Sequence, residues 1–143
     1  MAGKVTVITG ASSGIGAALA RRLGEKGHDL VLAARRESEL NQVASQVKTK
    51  ALVVRTDVTW RHEVEHLLDL ALKEYGHVDV WVNNAGRGLT RAVMNLTEDD
   101  LDEIISVVLK SVVYGMQAII PHFLERGEGI SLTSHPSSAG FRS

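Results

Sequence analysis

Short apolar runs alternate with longer amphipathic segments along this chain. Four runs rich in Val, Ile, Leu and Ala predict buried strands, at residues 4–9, 29–34, 51–54 and 78–82. The segments between them carry apolar residues at helical spacing; Val64, Leu67 and Ala71, for example, share one face of a predicted helix. The pattern therefore predicts strands and helices in alternation.

The last predicted helix is the most apolar part of the chain. Thr97 followed by three acidic residues indicates a capped helix start, and an apolar segment follows as far as Pro121. Alternation of this kind predicts an α/β fold, a doubly wound parallel sheet with right-handed crossovers. Ligands of such sheets bind at the carboxyl ends of the strands. Four residues lie at predicted strand ends: Gly10, Arg35, Asp57 and Asn83.

The composition is that of one globular domain. The chain has 143 residues, 44% of them hydrophobic, which is enough for one core and implies no second domain. A formal net charge of -1 gives no electrostatic argument for a nucleic-acid or membrane partner, and the lack of cysteine excludes disulfides and thiolate metal sites. Since no segment suggests the roughly 20 apolar residues of a membrane span, we expect a cytoplasmic protein.

A glycine-rich turn joins the first predicted strand to the first helix. Gly10, Gly14 and Gly16 lie in the sequence TGASSGIG. Unpaired amides and the positive end of the helix dipole favour an anion such as a diphosphate here, and glycine lets it approach closely. A purely structural turn is the alternative interpretation of the same glycines.

TGASSGIG closely resembles the cofactor loop of the short-chain dehydrogenase/reductase family, and the chain resembles that family up to about residue 129. The resemblance implies a Rossmann-type cofactor-binding domain over residues 1–129, truncated after the fourth β-α units. It assigns the cofactor diphosphate to Gly10, Ser12, Ser13, Gly14, Ile15 and Gly16.

Two later segments carry the same resemblance. They imply that the adenine is held by Asp57 and Val58, and that the ribose and nicotinamide side is lined by Asn83, Ala85 and Gly86. A helix cap at Asp57 and a tight turn over residues 83–86 are the structural alternatives.

Cofactor choice is expected to depend on the residues after the second strand. An acidic residue there would accept hydrogen bonds from the ribose of NAD, whereas arginine can pair with the 2′-phosphate of NADP. The chain has Arg35 and Arg36 at this point, with no acid before Glu37. We therefore expect NADP, with NAD less favoured, unless both arginines are only solvated surface residues.

The family's catalytic residues are not found in this sequence. Its catalytic Asn corresponds to Val108, which cannot hydrogen-bond through its side chain. Its Tyr-x-x-x-Lys pair, which transfers a proton while hydride moves at the nicotinamide, is also missing. Neither Tyr75 nor Tyr114 has a lysine four residues later. We therefore assign no catalytic residue.

Two further candidate sites are weak. His62 and His66 could share a helix face and bind zinc, but no third ligand is evident and solvated histidines explain them better, so no metal site is predicted. The serines at positions 131, 134, 137 and 138 lack the flanking glycines of a nucleophile elbow.

The tail over residues 130–143 does not fit the family pattern. The family has a buried strand here, of the form G-x-apolar-apolar-Asn-apolar-Ser-Ser, whereas this tail is polar and contains Pro136. We therefore expect an aberrant tail without regular structure.

Moving the reading frame by one base near Gly129, with suitable synonymous codons, gives HLINVSSFLG, which restores the pattern. A lost base would then account for the tail and leave Ser137 without a catalytic role; the alternatives are chance similarity and a different tail from alternative splicing.

Two functions are compatible with the sequence. The first is an NADP-dependent short-chain oxidoreductase acting on a small alcohol or ketone, with this chain expected to be catalytically incomplete. The second is a non-catalytic nucleotide-binding or scaffold protein that associates through the apolar helix 97–121. No nucleic-acid or membrane partner is expected, and a full-length family member is expected to form a homo-oligomer.

Overall fold

The computed structural model describes residues 3–85 and 93–134, over which strands and helices alternate. The strands are β1 (Val5–Thr9), β2 (Asp29–Ala34), β3 (Ala51–Arg55), β4 (Val80–Asn83) and β5 (Ile130–Thr133). The helices are α1 (Gly14–Glu25), α2 (Glu37–Gln46), α3 (Arg61–Tyr75), α4 (Glu98–Ile105) and α5 (Ser111–Arg126). A 3₁₀ turn at Val93–Asn95 precedes α4, and a π-helical turn at Ser106–Lys110 joins α4 to α5.

All strand pairs are parallel, and the order across the sheet is β3-β2-β1-β4-β5. Helices α1 and α2 pack on one face, and α3 and α5 pack on the other. Because β1 and β2 are covered on both faces, they are mainly apolar in the sequence, with Thr6 and Thr9 as the polar residues of β1. This sheet confirms the predicted Rossmann-type α/β fold.

Helices α4 and α5 and the π-helical turn form one continuous segment, Glu98–Arg126, here called the long helix. It begins as predicted. The Asp100 amide donates to the Thr97 hydroxyl at 3.1 Å, and the Thr97 amide donates to the Asp100 carboxylate at 3.0 Å, so that each residue caps the other.

The long helix does not end at Pro121, as the sequence pattern predicts, but continues to Arg126. Proline removes one helical hydrogen bond, and the last turns instead bond to Val78, in the segment that leads into β4. The Val78 amide donates to His122 Nε2 at 3.1 Å, and Arg126 donates to the Val78 carbonyl at 3.1 Å.

By length and composition, the long helix could cross a membrane, with a mean hydropathy of 1.7 in its most apolar window. This corrects the expectation that no segment approaches a membrane span. A single helix of this kind is weak evidence and does not indicate a membrane protein, although only 17% of its most apolar window is buried. Here α5 packs on α3 and β4, and Ile119 is completely buried.

Strand β5 forms at the start of the tail, for which the sequence predicts no regular structure. Residues 130–133 pair in parallel with β4. The Ile130 amide donates to the Asp79 carbonyl, and the Ser134 amide donates to the Asn83 carbonyl, each at 3.0 Å. Backbone pairing is open to any residue except proline, and an edge strand tolerates polar side chains, so the polar pattern does not prevent a strand.

Asp79 joins β1, β4 and α5 at the amino ends of the strands. Its carboxylate accepts from the Val5 amide at 2.8 Å and from Arg126 at 3.0 Å, and it lies 2.9 Å from His77. Burial alone would raise the pKa of Asp79. The hydrogen bonds from Val5 and Arg126, with the charges of His77 and Arg126, outweigh burial and hold this pKa below its ordinary value of 3.8.

We predict that Asp79 stabilises the fold only while it is ionised. Because its pKa is lowered in the folded state, its contribution is present above the ordinary value of 3.8 and is lost as the pH falls through the folded value. Urea titrations from about pH 7 to about pH 3 should therefore show a steeper loss of unfolding free energy in the parent than in Asp79→Asn. The control Asp69→Asn, at an exposed position of α3, should keep the parent slope. Equal slopes in the parent and Asp79→Asn would contradict the prediction.

Candidate functional site

A cleft of about 150 Å³ lies at the carboxyl ends of β1 to β4. Eight of the residues expected to bind the cofactor line it: Gly10, Ser12, Ser13, Arg35, Arg36, Asp57, Val58 and Ala85. The lining is completed by Ala34, Thr56, Thr59 and Val107, which are not among the expected residues. Residues far apart in the sequence thus meet at one edge of the sheet, as expected for a fold of this type.

The remaining expected residues lie outside this lining. Gly14, Ile15 and Gly16 form the first turn of α1. Asn83 is 2% exposed, and its side chain accepts a hydrogen bond from Trp81 Nε1 at 2.8 Å on the α5 side of the sheet. The Asn83 side chain therefore lies against α5 and not in the lining of this cleft. Gly86 lies outside the described residues.

Two glycines allow the cleft-forming loops to touch. Gly10 has a φ of 64°, and a Cβ there would lie 2.6 Å from the Asn84 carbonyl oxygen. A Cβ on Gly16 would lie 2.2 Å from the Gly10 carbonyl oxygen. Any larger residue would push these backbones apart. Close packing therefore explains part of the glycine pattern, independently of any ligand.

The Thr9 hydroxyl connects the turn after β4 to β1. It accepts from the amides of Asn84 and Ala85, both at 3.1 Å, and donates to the Val82 carbonyl at 3.3 Å. The Asn84 side chain in turn donates to the Gly10 carbonyl at 3.2 Å. Neither Thr9 nor Asn84 is predicted from the sequence as an organising residue. The signal for Thr9 is a hydroxyl at the carboxyl end of a buried strand, directly before the glycine-rich turn.

The start of α1 is suited to an anion. Its N-cap residue, Ser13, makes no side-chain capping bond, and the first turn contains no acidic residue. The first amides of a helix have no partner within the helix and lie at the positive end of its dipole. A phosphate group beside this turn would satisfy them.

Asp57 is an ionised acceptor at the edge of the cleft. Its Oδ1 accepts from the Thr59 amide at 3.0 Å and from the Thr59 hydroxyl at 2.6 Å. Burial alone would raise the pKa of Asp57, but the bonds from Thr59 and the charges of Arg35 and Arg55 hold it below 3.8. None of the described residues hydrogen-bonds to Oδ2, which leaves this oxygen available to a ligand.

The turn that leads into α3 is organised by Asp57 and Glu63. Thr59 does not cap α3, because its amide and hydroxyl are bonded to Asp57 and Trp60 takes the N-cap position. The Asp57 amide donates to Glu63 Oε1 at 3.0 Å. Glu63, in the first turn of α3, thus fixes the residue that faces the cleft and is absent from the predicted site.

The two arginines after β2 have different surroundings. Arg36 forms an exposed ion pair with Glu39, with 3.5 Å between Nη1 and Oε2. No carboxylate among the described residues lies within ion-pair distance of Arg35, although its charge reaches Asp57. Arg35 is therefore better placed than Arg36 to meet a phosphate in the cleft.

Val108 lies in the π-helical turn of the long helix. The Ser111 hydroxyl donates to the Val108 carbonyl at 3.0 Å, and the neighbouring Val107 lines the cleft. Single π turns in helices are frequent at functional sites. The irregular backbone thus adjoins the cleft, while Val108 supplies no side-chain donor or acceptor.

Neither described tyrosine belongs to the cleft. The Tyr75 hydroxyl donates to the Leu30 carbonyl at 3.1 Å, and burial with nearby negative charges raises the pKa of Tyr75 to about 12. The Tyr114 ring packs against Arg61, whose guanidinium lies 4.8 Å from the ring centre. Within residues 3–85 and 93–134, no three His, Asp or Glu side chains are placed to hold a metal ion.

Comparison of the sequence with known proteins gives matches that agree on one family. A family model for short chain dehydrogenase matches residues 4–141. An uncharacterised oxidoreductase of Staphylococcus epidermidis is 38% identical over 126 residues, which cover 88% of this chain and 55% of that protein. Another, from Staphylococcus aureus, is 40% identical over 139 residues, which cover 96% and 60% respectively. The chain thus spans between 55% and 60% of the length of these relatives.

Solved structures show the same similarity. An alcohol dehydrogenase from the archaeon Thermococcus sibiricus, complexed with 5-hydroxy-NADP, matches with a TM-score of 0.82 and 35% identity over 91% of this chain and 57% of its own. A 3-ketoacyl-(acyl-carrier-protein) reductase from Brucella melitensis, complexed with NADH, matches with a TM-score of 0.85 and 33% identity over 92% and 56%. Since the two bound cofactors differ, the similarity alone does not decide between NADP and NAD.

Proposed function

The chain belongs to the short-chain dehydrogenase family, and on this premise we propose that its cleft binds NADP. The proposed activity is hydride transfer between this cofactor and a small alcohol or ketone. The observation that carries the choice of NADP is Arg35, a cation at the end of β2 that lines the cleft without an ion-pair partner among the described residues. A cytoplasmic location is part of the same proposal.

The cofactor would be held by groups of matching charge. The start of α1 and the turn before it would receive the diphosphate, through Gly10, Ser12, Ser13, Gly14, Ile15 and Gly16. Asp57 would accept hydrogen bonds from the adenine. Val58 is 7% exposed and packs in the core, so its contribution would come from its backbone.

The turn after β4 would meet the ribose and nicotinamide side of the cofactor through Ala85 and Gly86. When bound, the nicotinamide supplies the hydride chemistry. The described residues would bind and orient the cofactor. Val108 is apolar and the Tyr75 hydroxyl lies at the other end of the sheet, so we assign neither a proton transfer. Cofactor affinity is therefore the direct measure of this proposal.

We predict that the chain binds NADP⁺ about ten-fold or more tightly than NAD⁺, because one charge-assisted phosphate contact contributes roughly 1.5–3 kcal/mol. Arg35→Ala should lose this preference and keep its NAD⁺ affinity. Arg36→Ala should lose less, because Arg36 pairs with Glu39. Isothermal titration calorimetry measures both affinities, and Arg22→Ala, on the exposed side of α1, is the control.

Equal affinities in the parent, or an unchanged preference in Arg35→Ala, would contradict the choice of NADP. Failure of the parent to bind either nucleotide would contradict the site itself.

A second function is favoured by the exposed face of the long helix. Leu101, Ile105, Leu109 and Val113 recur every four residues and are between 40% and 59% exposed. We call these residues the apolar stripe. Large exposed apolar patches on soluble proteins mark interaction surfaces. We propose that the stripe is an association surface, which serves a homo-oligomeric enzyme and a non-catalytic nucleotide-binding scaffold equally.

We predict that the chain self-associates and that Ile105→Lys/Leu109→Lys shifts it to monomer. Two charges in the stripe would have to be desolvated on association, so we expect the dissociation constant to rise at least about ten-fold. Sedimentation velocity over a range of concentrations measures this. Glu125→Lys, exposed in the last turn of the long helix and twelve residues beyond Val113, controls for the added charge. A monomeric parent, or equal association in the double variant, would contradict the proposal.

A further inference from the structure

Strand β5 carries side chains that do not suit their positions in the sheet. Among the described residues, the buried side-chain polar atoms without a hydrogen-bond partner are Asn83 Nδ2 and Ser131 Oγ. Both lie where β5 meets β4, since Ser131 pairs with Trp81 and Thr133 pairs with Asn83. Natural folds leave few buried polar groups unpaired. The mismatch therefore concerns β5 and the strand beside it.

The neighbours of β5 define what each position requires. Partners in a parallel pair project their side chains side by side on the same face. Position 131 adjoins Trp81, which is completely buried, so an apolar side chain fits there. Position 133 adjoins Asn83, whose Nδ2 has no partner among the described residues because the Thr133 hydroxyl, although able to accept, is not bonded to it. A longer side chain with an acceptor would reach Nδ2 and satisfy it.

We propose that the codons for residues 130–134 are read one base out of frame, and that the displaced frame encodes the residues this sheet requires. In that frame each codon joins the last base of one present codon to the first two bases of the next. At position 131, the last base of the Ile130 codon precedes the TC of a TCN serine codon. The result is always Phe, Leu or Ile, which are all apolar.

At position 133 the displaced frame gives a suitable residue whichever synonymous codons encode Leu132 and Thr133. The last base of the Leu132 codon precedes the AC of the Thr133 codon, which gives Tyr, His, Asn or Asp. Each of these side chains can accept a hydrogen bond from Asn83 Nδ2. At position 134 a TCN codon for Ser134 gives Phe, Leu, Ile or Val. The displaced frame thus supplies an apolar residue at position 131, an acceptor at position 133 and an apolar residue after the strand end.

One present contact would be lost. The Ser134 hydroxyl donates to the Asn84 side-chain oxygen, and an apolar residue at position 134 could not. Asn84 is partly exposed and keeps its bond to the Gly10 carbonyl, so water can replace the lost donor. Variants that test the fit therefore keep Ser134 unchanged. The fit of β5 to β4 does not depend on whether the cleft binds a cofactor.

Thermal unfolding of single variants tests the fit. Thr133→Asn should raise the Tm by about 3 °C or more, and Thr133→Val should not, because valine has no acceptor. Strand propensity alone predicts the opposite order. Ser131→Leu should raise the Tm by a similar amount, whereas Ser131→Thr retains the unpaired hydroxyl and should not. Absence of either rise would overturn the inference.

Sequencing the nucleic acid across codons 127 to 143 and beyond tests the frame itself, even if a variant fails to fold. We expect TCN codons at Ser131 and Ser134 and a displaced frame that stays open past codon 143. An AGY codon at Ser131 would encode Gln, Lys or a stop in the displaced frame, and this result, or an early stop downstream, would overturn the inference.

Discussion

The hydroxyl of Thr9 is the contact on which the cleft depends. It lies at the end of the central strand, is 2% exposed, and satisfies two amides of the turn after β4. If it were absent, the amides of Asn84 and Ala85 would lose their acceptor in a partly buried place. The close approach of this turn to Gly10 would then lose its anchor. One neutral side chain of β1 thus fixes the separation of two loops that are more than seventy residues apart in the sequence.

The two edges of the sheet are held together in different ways, and the difference suits the proposed function. At the amino edge, the ionised Asp79 binds Val5 and Arg126 and uses its charge internally. At the carboxyl edge, the neutral Thr9 holds the loops, so the positive start of α1 and Arg35 are left to act on a ligand. A phosphate-bearing cofactor needs positive potential that internal ion pairs have not already neutralised.

Much of the fold and part of the site could be predicted from the sequence, and the residues explain the limits. Buried parallel strands are continuous apolar runs, so β1 to β4 were visible in the pattern. The role of Thr9 was not, because its partners are distant in sequence. The direction of Asn83 was available in principle, since Trp81 lies two residues earlier and must share its face. Strand β5 was missed because pairing uses the backbone, which the side-chain pattern does not report.

Amide hydrogen exchange in Thr9→Val and Thr9→Ser tests most directly whether this hydroxyl holds the cleft together. Serine keeps the acceptor and valine keeps the shape without it. We predict that the amides of Asn84 and Ala85 exchange at the parent rate in Thr9→Ser and about ten-fold or more faster in Thr9→Val, while the amide of Val7 stays protected in both. Parent-like protection of Asn84 and Ala85 in Thr9→Val would contradict the role of this hydroxyl.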